Sequence, residues 1–310
     1  MDGDTRDDAR IPVTLADTPG GEELGRLAAR AYRPTRIEID DALRHNWLEI
    51  WYQPKIDLQR KCVVGAEALA RIRHPELGIL LPKSFLPEIS DESVAHLTEH
   101  VLRAALRHWS RFDAAGFNLH LAVNVPVEAL ERLPLATLVA DHRPQAEHWP
   151  GLILEVKEDQ IVRDLDLAQR LATELRVSGI SISIDDFGAG YSSFSRLREL
   201  AFAELKIDHS FVKNCAVDAV NAAICQTAIV LAHRLGSAVV AEGIESGADL
   251  HALQFMGCDF GQGVLIAPPM PMRGFLDLLH RQFGKSVVPP APADAHPQQA
   301  GRPPGIDRVA

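Results

Sequence analysis

Cysteine is scarce in this chain, and long apolar runs are missing from it. The 310 residues include four cysteines, at positions 62, 215, 225 and 258, and no pair of them has CxxC spacing. A zinc site built on thiolates is therefore not expected, and the four side chains are predicted to be reduced thiols that are mostly buried. No apolar run approaches the roughly 20 residues that a membrane-spanning helix requires. The sequence therefore predicts no membrane association.

Basic residues are outnumbered by acidic ones. The chain has 32 Lys and Arg against 42 Asp and Glu, which gives a formal net charge of −10. Long nucleic acid is not an expected partner, because binding it needs a basic face that neutralises phosphates. A small phosphate ester is still compatible with this charge, since metal ions can mediate its contact with acidic side chains. The segment from Met1 to Arg10 is polar and lacks the apolar core of a signal peptide, so a cytoplasmic protein is expected.

The two ends of the chain differ in composition from its middle. Residues 1–35 show little periodicity and are predicted to be an N-terminal extension that is poorly structured in part. Residues 284–310 are rich in proline, alanine and glutamine, a composition typical of a disordered tail. Residues 36–283, between them, are expected to form one domain.

Eight apolar or β-branched runs indicate the strands of that domain. They cover residues 47–53, 62–70, 119–125, 152–156, 180–185, 203–207, 238–244 and 260–266. Helical periodicity is clearest over 93–115, 164–177 and 218–235. Strands that alternate with helices pair in parallel through crossovers, and eight of them in about 240 residues match a (β/α)8 barrel. An open doubly wound sheet is the alternative, disfavoured because no GxGxxG or P-loop follows the first strand.

Seven of these runs carry a polar residue in the middle or near the carboxyl end. These residues are Glu67, Asn124, Glu155, Asp185 followed by Asp186, Lys206, Glu242 and Gln262. Any one of these residues, taken alone, is most simply an exposed residue at a strand end. In a parallel barrel, however, the carboxyl ends of the strands converge on one face, which would bring all of them together. Carboxylates packed together repel each other, so the cluster is expected to bind hard divalent cations such as Mg²⁺ or Mn²⁺, which prefer oxygen ligands.

The tripeptide Glu67-Ala68-Leu69 is part of a set of motifs that resembles a known family. The chain resembles the EAL family of cyclic-di-GMP phosphodiesterases from about residue 36 to 283. The matching blocks are YQPKIDL (52–58), EALARIRHP (67–75), NV (124–125), EVKE (155–158), DDFGAGYSSFSRL (185–197), LKIDHSFV (205–212), VVAEGIES (239–246) and GCDFGQG (257–263). The resemblance implies a barrel variant whose first strand is antiparallel to the others.

The resemblance also implies which residues bind metal and which act in catalysis. The implied ligands of a first metal ion are Glu67, Asn124, Glu155 and Asp185. Asp185 and Asp186 would hold a second ion, with Asp185 bridging, and Glu242 would complete the cluster directly or through a bound water. The implied catalytic residues are Glu67, Asp185, Glu242, Lys206 and Glu158. Lys206 resembles a lysine that orients and helps to activate the attacking water, and Glu158 resembles a glutamate that anchors the loop after the fifth strand.

A further set of residues is implied to contact the substrate. Its members are Gln53, Leu69, Arg71, Gln262 and Glu245. Arg71 resembles an arginine that contacts a substrate phosphate, and Gln262 resembles a glutamine that lies just behind the metal ligands. The glycine-rich segment 188–193 is interpreted as a mobile loop that positions the two aspartates and senses contacts in a homodimer.

The function implied by the resemblance is hydrolysis of cyclic-di-GMP to linear pGpG by a metal-activated water, in bacterial second-messenger signalling. Two Mg²⁺ or Mn²⁺ ions per site, a homodimer and a regulatory protein partner are expected. Lys157 departs from the family pattern, which usually has threonine there, and a cation between Glu155 and Glu158 is expected to compete with metal or to alter the loop. A receptor that binds the nucleotide with weak or absent turnover is one alternative. A barrel hydrolase acting on another phosphate ester is the second.

Overall fold

A computed structural model of the chain describes residues 39–87, 89–189 and 198–283. The predicted N-terminal extension (1–35) and the Pro-rich tail (284–310) lie outside these ranges, as do residues 190–193 of the predicted loop. Within the described ranges, no helix is long and apolar enough to cross a bilayer.

Ten strands form one sheet in the described part of the chain. They are β1 Leu48–Asp57, β2 Val63–His74, β3 Gly78–Leu80, β4 His120–Asn124, β5 Leu152–Lys157, β6 Ile180–Phe187, β7 Glu204–Ile207, β8 Ala238–Ala241, β9 Phe260–Gly261 and β10 Met270–Pro271. Their order is β10-β1-β9-β8-β7-β6-β5-β4-β2-β3, and β1 also pairs with β2. That last pairing closes eight strands into a barrel, with β3 and β10 attached outside the ring.

The barrel confirms the predicted fold, including the direction of its first strand. The strand β1 pairs antiparallel with both of its ring neighbours, β2 and β9. The other adjacent pairs of the ring are parallel. Each of the eight apolar runs in the sequence contains or overlaps one strand of the ring.

Two predicted strands end earlier than the apolar pattern suggested. β8 ends at Ala241 and β9 at Gly261, rather than at residues 244 and 266. Beyond these points the chain turns: Gly243 has φ 64°, a left-handed conformation that glycine adopts without strain. A Cβ on Gly263 would lie 2.2 Å from the backbone N and O of Ile244, so these two segments cross at a distance only glycine permits.

Helices surround the barrel, and three of them lie where the 3.6-residue period predicts helices. They are α1 Ile39–Arg44, α2 Pro82–Phe85, α3 Asp91–Ala114, α4 Val127–Arg132, α5 Leu135–His142, α6 Glu158–Arg163, α7 Leu165–Arg176, α8 His209–Val212, α9 Ala219–Arg234, α10 Gly247–Met256 and α11 Met272–Leu278, followed by a π-helical turn Leu279–Phe283. The three helices expected at 93–115, 164–177 and 218–235 correspond to α3, α7 and α9. Side-chain caps fix all three starts: Ser90 accepts from Ser93 N, Asp164 from Leu167 N and Asp218 from Val220 N.

The long helix α3 covers the side of the barrel where β1 lies. Its buried residues Trp109 and Phe112 are at most 2% exposed. The Tyr52 ring of β1 lies 5.0 Å from Phe112 and 5.8 Å from Phe275 of α11, measured between ring centroids. These aromatic contacts pack β1 against α3 and α11.

Lys55 and Glu204 form a buried ion pair inside the barrel. Lys55 Nζ lies 2.6 Å from Glu204 Oε2, and the two residues are 3% and 5% exposed. Gly65 makes room for the lysine, because a Cβ there would lie 3.2 Å from Lys55 Cε and 2.6 Å from the His120 carbonyl oxygen. Glu204 precedes Lys206 by two residues on β7, so this pair forms the interior layer directly below the polar cluster predicted from the sequence.

Replacing Lys55 by methionine is expected to lower the free energy of unfolding by about 3–5 kcal/mol, because it leaves the Glu204 carboxylate buried without its partner. The double change Lys55→Met/Glu204→Leu is expected to recover most of that loss. Urea denaturation followed by circular dichroism measures both values. If the single and double variants were equally destabilised, the unpaired charge would not be the cause.

Candidate active site

The polar residues predicted from seven strands meet at one mouth of the barrel. Glu67 lies on β2, Glu155 on β5 and Asp185 on β6. Asn124 is the last residue of β4 and stands in register with Glu155. Lys206 lies on β7, and the other two, Glu242 and Gln262, come directly after β8 and β9. The parallel register brings residues far apart in sequence to one level, as the spacing predicted.

Lys206 is the centre of this cluster. Its Nζ lies 2.5 Å from Glu242 Oε1 and 2.9 Å from Glu155 Oε2. It also lies 3.1 Å from Asp185 Oδ1 and 3.9 Å from Glu67 Oε2. Burial alone would lower the pKa of Lys206, but the surrounding carboxylates raise that pKa well above its ordinary value. The side chain is 2% exposed, so the ammonium is a fixed positive charge within the cluster.

The single ammonium of Lys206 does not neutralise four carboxylates, and the pKa values of two of these acids are raised. Burial, together with the charge of Glu67, raises the pKa of Glu155 well above its usual range. Burial also raises the pKa of Glu242 to about 8, with Asp185 and Glu67 adding to the shift and Lys206 opposing it. These directions indicate a site with an excess of negative charge in a poorly hydrated space.

The cluster fits a divalent cation by its donor set and by its geometry. Asp185, Asp186 and Glu242 each offer an oxygen, and the three oxygens lie within 4.8 Å of one another. Asp185 Oδ1 has no hydrogen-bond partner among the described residues, since the nearby Lys206 ammonium is close enough for an ion pair but not aligned to donate. Buried carboxylate oxygens without donors are the ligands that Mg²⁺ and Mn²⁺ take.

Two amides hold Glu67 in place. Asn124 Nδ2 donates to Glu67 Oε1 at 2.7 Å and lies 3.3 Å from Glu155 Oε2. Gln262 Nε2 donates to Glu67 Oε2 at 2.6 Å. In this arrangement Asn124 presents its nitrogen to the carboxylates, so ligation of a cation through its oxygen requires the amide to turn over.

Lys157 contacts the outer side of the same cluster. It is the last residue of β5 and stands in register with Asp185, and its Nζ lies 2.5 Å from Asp186 Oδ2. The hydrogen bond with Asp186 raises the pKa of Lys157, against the effect of partial burial. Asp186 has φ 56°, a left-handed conformation that is uncommon for residues other than glycine.

Glu158 contacts the chain just after the end of β6. Its side chain is buried, and Oε2 accepts a hydrogen bond from Gly188 N at 3.0 Å. Gly188 has φ 96°, and a Cβ there would lie 2.9 Å from the Phe211 ring. This contact holds Gly188, two residues after Asp186, and the described residues are interrupted after Ala189.

A cleft of about 350 Å³ opens above the cluster. The residues predicted to contact substrate all line it: Gln53, Leu69, Arg71, Glu245 and Gln262. Arg71 is buried, donates Nη1 to the Ala70 carbonyl oxygen at 2.8 Å, and has no partner for Nε within the described ranges. Burial lowers the pKa of Arg71, with Glu67 opposing this. Arg71 lines the cleft, and a positive charge in the cleft wall suits an anionic ligand.

Sequence reasoning missed some residues of this cleft. His209, Gly243, Val264 and Pro269 also line it, and the Trp51 ring lies 5.9 Å from the Arg71 guanidinium carbon. Glu245 forms an ion pair with Lys213 at 3.2 Å, which the sequence did not indicate either. Most of these residues lie on a strand or just after one, and Pro269 lies directly before β10. Nothing in their residue type distinguishes them from ordinary surface residues.

Comparisons with known proteins agree with this geometry. The family model described as EAL domain matches residues 36–269. The chain is 38% identical over 232 residues to the cyclic di-GMP phosphodiesterase PA2567 of Pseudomonas aeruginosa, which covers 74% of this chain and 40% of that protein. It is 32% identical over 258 residues to the cyclic di-GMP phosphodiesterase RocR of the same organism, covering 83% of this chain and 66% of RocR. The chain thus spans less than two thirds of the length of these relatives.

A solved structure shows the same fold. The phosphodiesterase PaMucR in complex with c-di-GMP superposes with a TM-score of 0.71 at 34% identity, over 77% of this chain and 98% of the matched one.

Proposed function

This chain belongs to the EAL domain family, and we propose that it is a metal-dependent phosphodiesterase that hydrolyses cyclic-di-GMP to linear pGpG. The observation that carries the proposal is the cluster around Lys206: four carboxylates from different strands lie within 3.9 Å of one buried ammonium, at the base of an open cleft. A structural ion pair needs one carboxylate, so four in one place favour a site that binds further positive charge.

The proposed reaction is an in-line displacement at one phosphodiester. The oxygen of a water molecule bonds to phosphorus, the bond from phosphorus to a ribose 3′-oxygen breaks, and that 3′-oxygen takes up the proton that the water loses. Bound Mg²⁺ or Mn²⁺, two per site in this proposal, would lower the pKa of water and offset the charge of the phosphate.

The metal-holding residues are proposed from their positions. Glu67, Asn124, Glu155 and Asp185 would hold the first ion, Asp185 and Asp186 the second, with Glu242 beside both. Gln262 keeps Glu67 aimed into the cleft through its hydrogen bond, and Glu158 keeps the strand end with the two aspartates in place through Gly188.

The other catalytic and binding roles concern water and substrate. The ammonium of Lys206 can donate a hydrogen bond to a water oxygen that enters the cleft, which would hold that water in line with the scissile bond. The guanidinium of Arg71, a residue that lines the cleft, would bind a phosphate oxygen. Gln53, Leu69 and Glu245 line the cleft and are proposed to contact the nucleotide. The substrate is proposed by similarity, because the relatives PA2567 and RocR are cyclic di-GMP phosphodiesterases.

Chromatography of reaction products tests this function. Incubation of the chain with cyclic-di-GMP and either Mg²⁺ or Mn²⁺ is expected to give linear pGpG, and addition of a chelator is expected to stop its formation. A parallel panel of other cyclic dinucleotides and generic phosphodiesters should react more slowly. Protein that never converts cyclic-di-GMP with either metal, or that prefers another ester, would contradict the proposal.

A second candidate function is a receptor that binds cyclic-di-GMP with little turnover. The observation that favours it is the ion pair of Lys157 with Asp186, which engages one of the carboxylates needed for metal. Calorimetry showing tight nucleotide binding without product would support it. The homodimer, the regulatory protein partner and the cytoplasmic location stay predictions, and the loop expected to sense dimer contacts lies partly outside the described residues.

A further inference from the structure

Lys157 and Lys206 contact the same acidic cluster in two different ways. Lys206 is 2% exposed and lies among carboxylates from four strands or strand ends. Lys157 reaches the cluster from its rim: the side chain is 56% exposed, and its partner Asp186 is 31% exposed. The surrounding carboxylates hold the ammonium of Lys206 in place, whereas the side chain of Lys157 can turn into solvent with little loss of free energy.

The carboxylate that Lys157 binds belongs to a set that could hold one cation. Asp186, Asp185 and Glu242 offer three oxygens within 4.8 Å of one another. Asp186 Oδ2 lies 2.5 Å from Lys157 Nζ, so the ammonium sits within ligand distance of an oxygen that a metal ion would need. A cation that binds there must displace the ammonium or share the oxygen with it.

We propose that Lys157 is an internal competitor for the cation site formed by Asp185, Asp186 and Glu242, and that it weakens metal binding there. This inference rests on the metal centre of the proposed function. In the absence of metal, the ammonium neutralises Asp186; when a divalent ion binds, the side chain moves out to solvent. Filling this second position therefore requires a higher metal concentration than filling the position at Glu67 and Glu155.

The size of the effect follows from the exposure of the pair. A partly exposed ion pair stabilises only weakly, because water screens it. Removing the charge of Lys157 is therefore expected to tighten the weaker metal-binding step by about three- to tenfold, where tenfold corresponds to about 1.4 kcal/mol. The affinity of the tighter metal-binding step is expected to change by less than about twofold. Its proposed ligands are Glu67, Asn124, Glu155 and Asp185, whereas the ion pair of Lys157 is with Asp186.

Titration of the protein with Mn²⁺, with free Mn²⁺ read by electron paramagnetic resonance, tests the inference without requiring turnover. The variant Lys157→Met removes the charge and keeps the length, and Lys157→Arg keeps the charge. Lys61→Met is the matched control, because Lys61 is exposed at the turn between β1 and β2, at the other end of the barrel. We expect tighter binding in the weaker step for Lys157→Met only, with wild-type behaviour in the other two.

Other outcomes would overturn the inference. Unchanged binding in Lys157→Met would show that the ammonium does not compete. Weaker binding in that variant would show that Lys157 positions Asp186 for metal instead. Since Mn²⁺ binding is measured directly, a chain that binds metal as expected but forms no pGpG would refute the proposed function and leave this inference intact.

Discussion

Replacing Glu67 by glutamine is expected to reduce pGpG formation by about 10³-fold or more, because the change removes charge at the point where the cleft must stabilise the reacting phosphate. The amide is nearly the same size as the carboxylate, so the barrel should stay folded. Glu67 receives hydrogen bonds from Asn124 and Gln262, and a glutamine retains only one oxygen to accept them. Initial rates at saturating Mn²⁺, measured by chromatography, give the size of the loss.

The fold of this variant must be checked alongside its activity. The matched control is Glu174→Gln, which makes the same chemical change at an exposed position of α7 and should leave the rate within about twofold of wild type. Because like charges in the cluster repel, Glu67→Gln should unfold at the same temperature as wild type or a higher one without metal. A well-folded Glu67→Gln protein that keeps a tenth of the wild-type rate would contradict the role assigned to Glu67.

Replacing Lys206 by methionine is expected to destabilise the metal-free protein by about 3–5 kcal/mol. The change leaves Glu155, Asp185 and Glu242 buried together without the ammonium that contacts all three. Part of the loss will be relieved by proton uptake, since the pKa of Glu242 is already raised to about 8 with the lysine present. Added Mn²⁺ should restore much of the stability, because a divalent ion replaces the missing charge.

Chemical denaturation with and without Mn²⁺ measures this rescue. The buried pair one layer below supplies the control: Lys55→Met should lose similar stability but gain no more from Mn²⁺ than wild type does, because its unpaired acid, Glu204, is a single carboxylate. Equal gains in the two variants would mean that the metal acts elsewhere. Activity of Lys206→Met should stay low even when Mn²⁺ restores its fold, since the lysine is proposed to orient the water.

The sequence predicted the barrel well because its strands are marked by local pattern. Eight runs of apolar and β-branched residues became the eight strands of the ring, since such side chains fit a surface buried on both faces. The direction of β1 came only from the family resemblance, because an apolar run looks the same in either direction. The ends of β8 and β9 were overestimated, since the close crossing at Gly263 depends on Ile244, nineteen residues earlier.

Part of the site was also predicted from the sequence, because it depends on the positions of the strand ends. Residues at strand ends could be brought together by the barrel alone, and Glu155 and Asp185 were placed correctly on that basis. Side-chain partners between neighbouring strands could not be predicted, because they depend on the register. Lys157 reaches Asp186 only because it stands opposite Asp185. Lys55 was missed because the predicted first strand stopped at residue 53, two residues before it.

The central claim is that carboxylates from several strands gather at one mouth of the barrel to hold divalent cations. Anomalous diffraction from a crystal soaked in Mn²⁺ tests it most directly. The account predicts an anomalous peak within about 2.5 Å of oxygens of Glu67, Glu155 and Asp185, with a weaker peak beside Asp186. Anomalous density located only away from these side chains, at a Mn²⁺ concentration that supports pGpG formation, would contradict it.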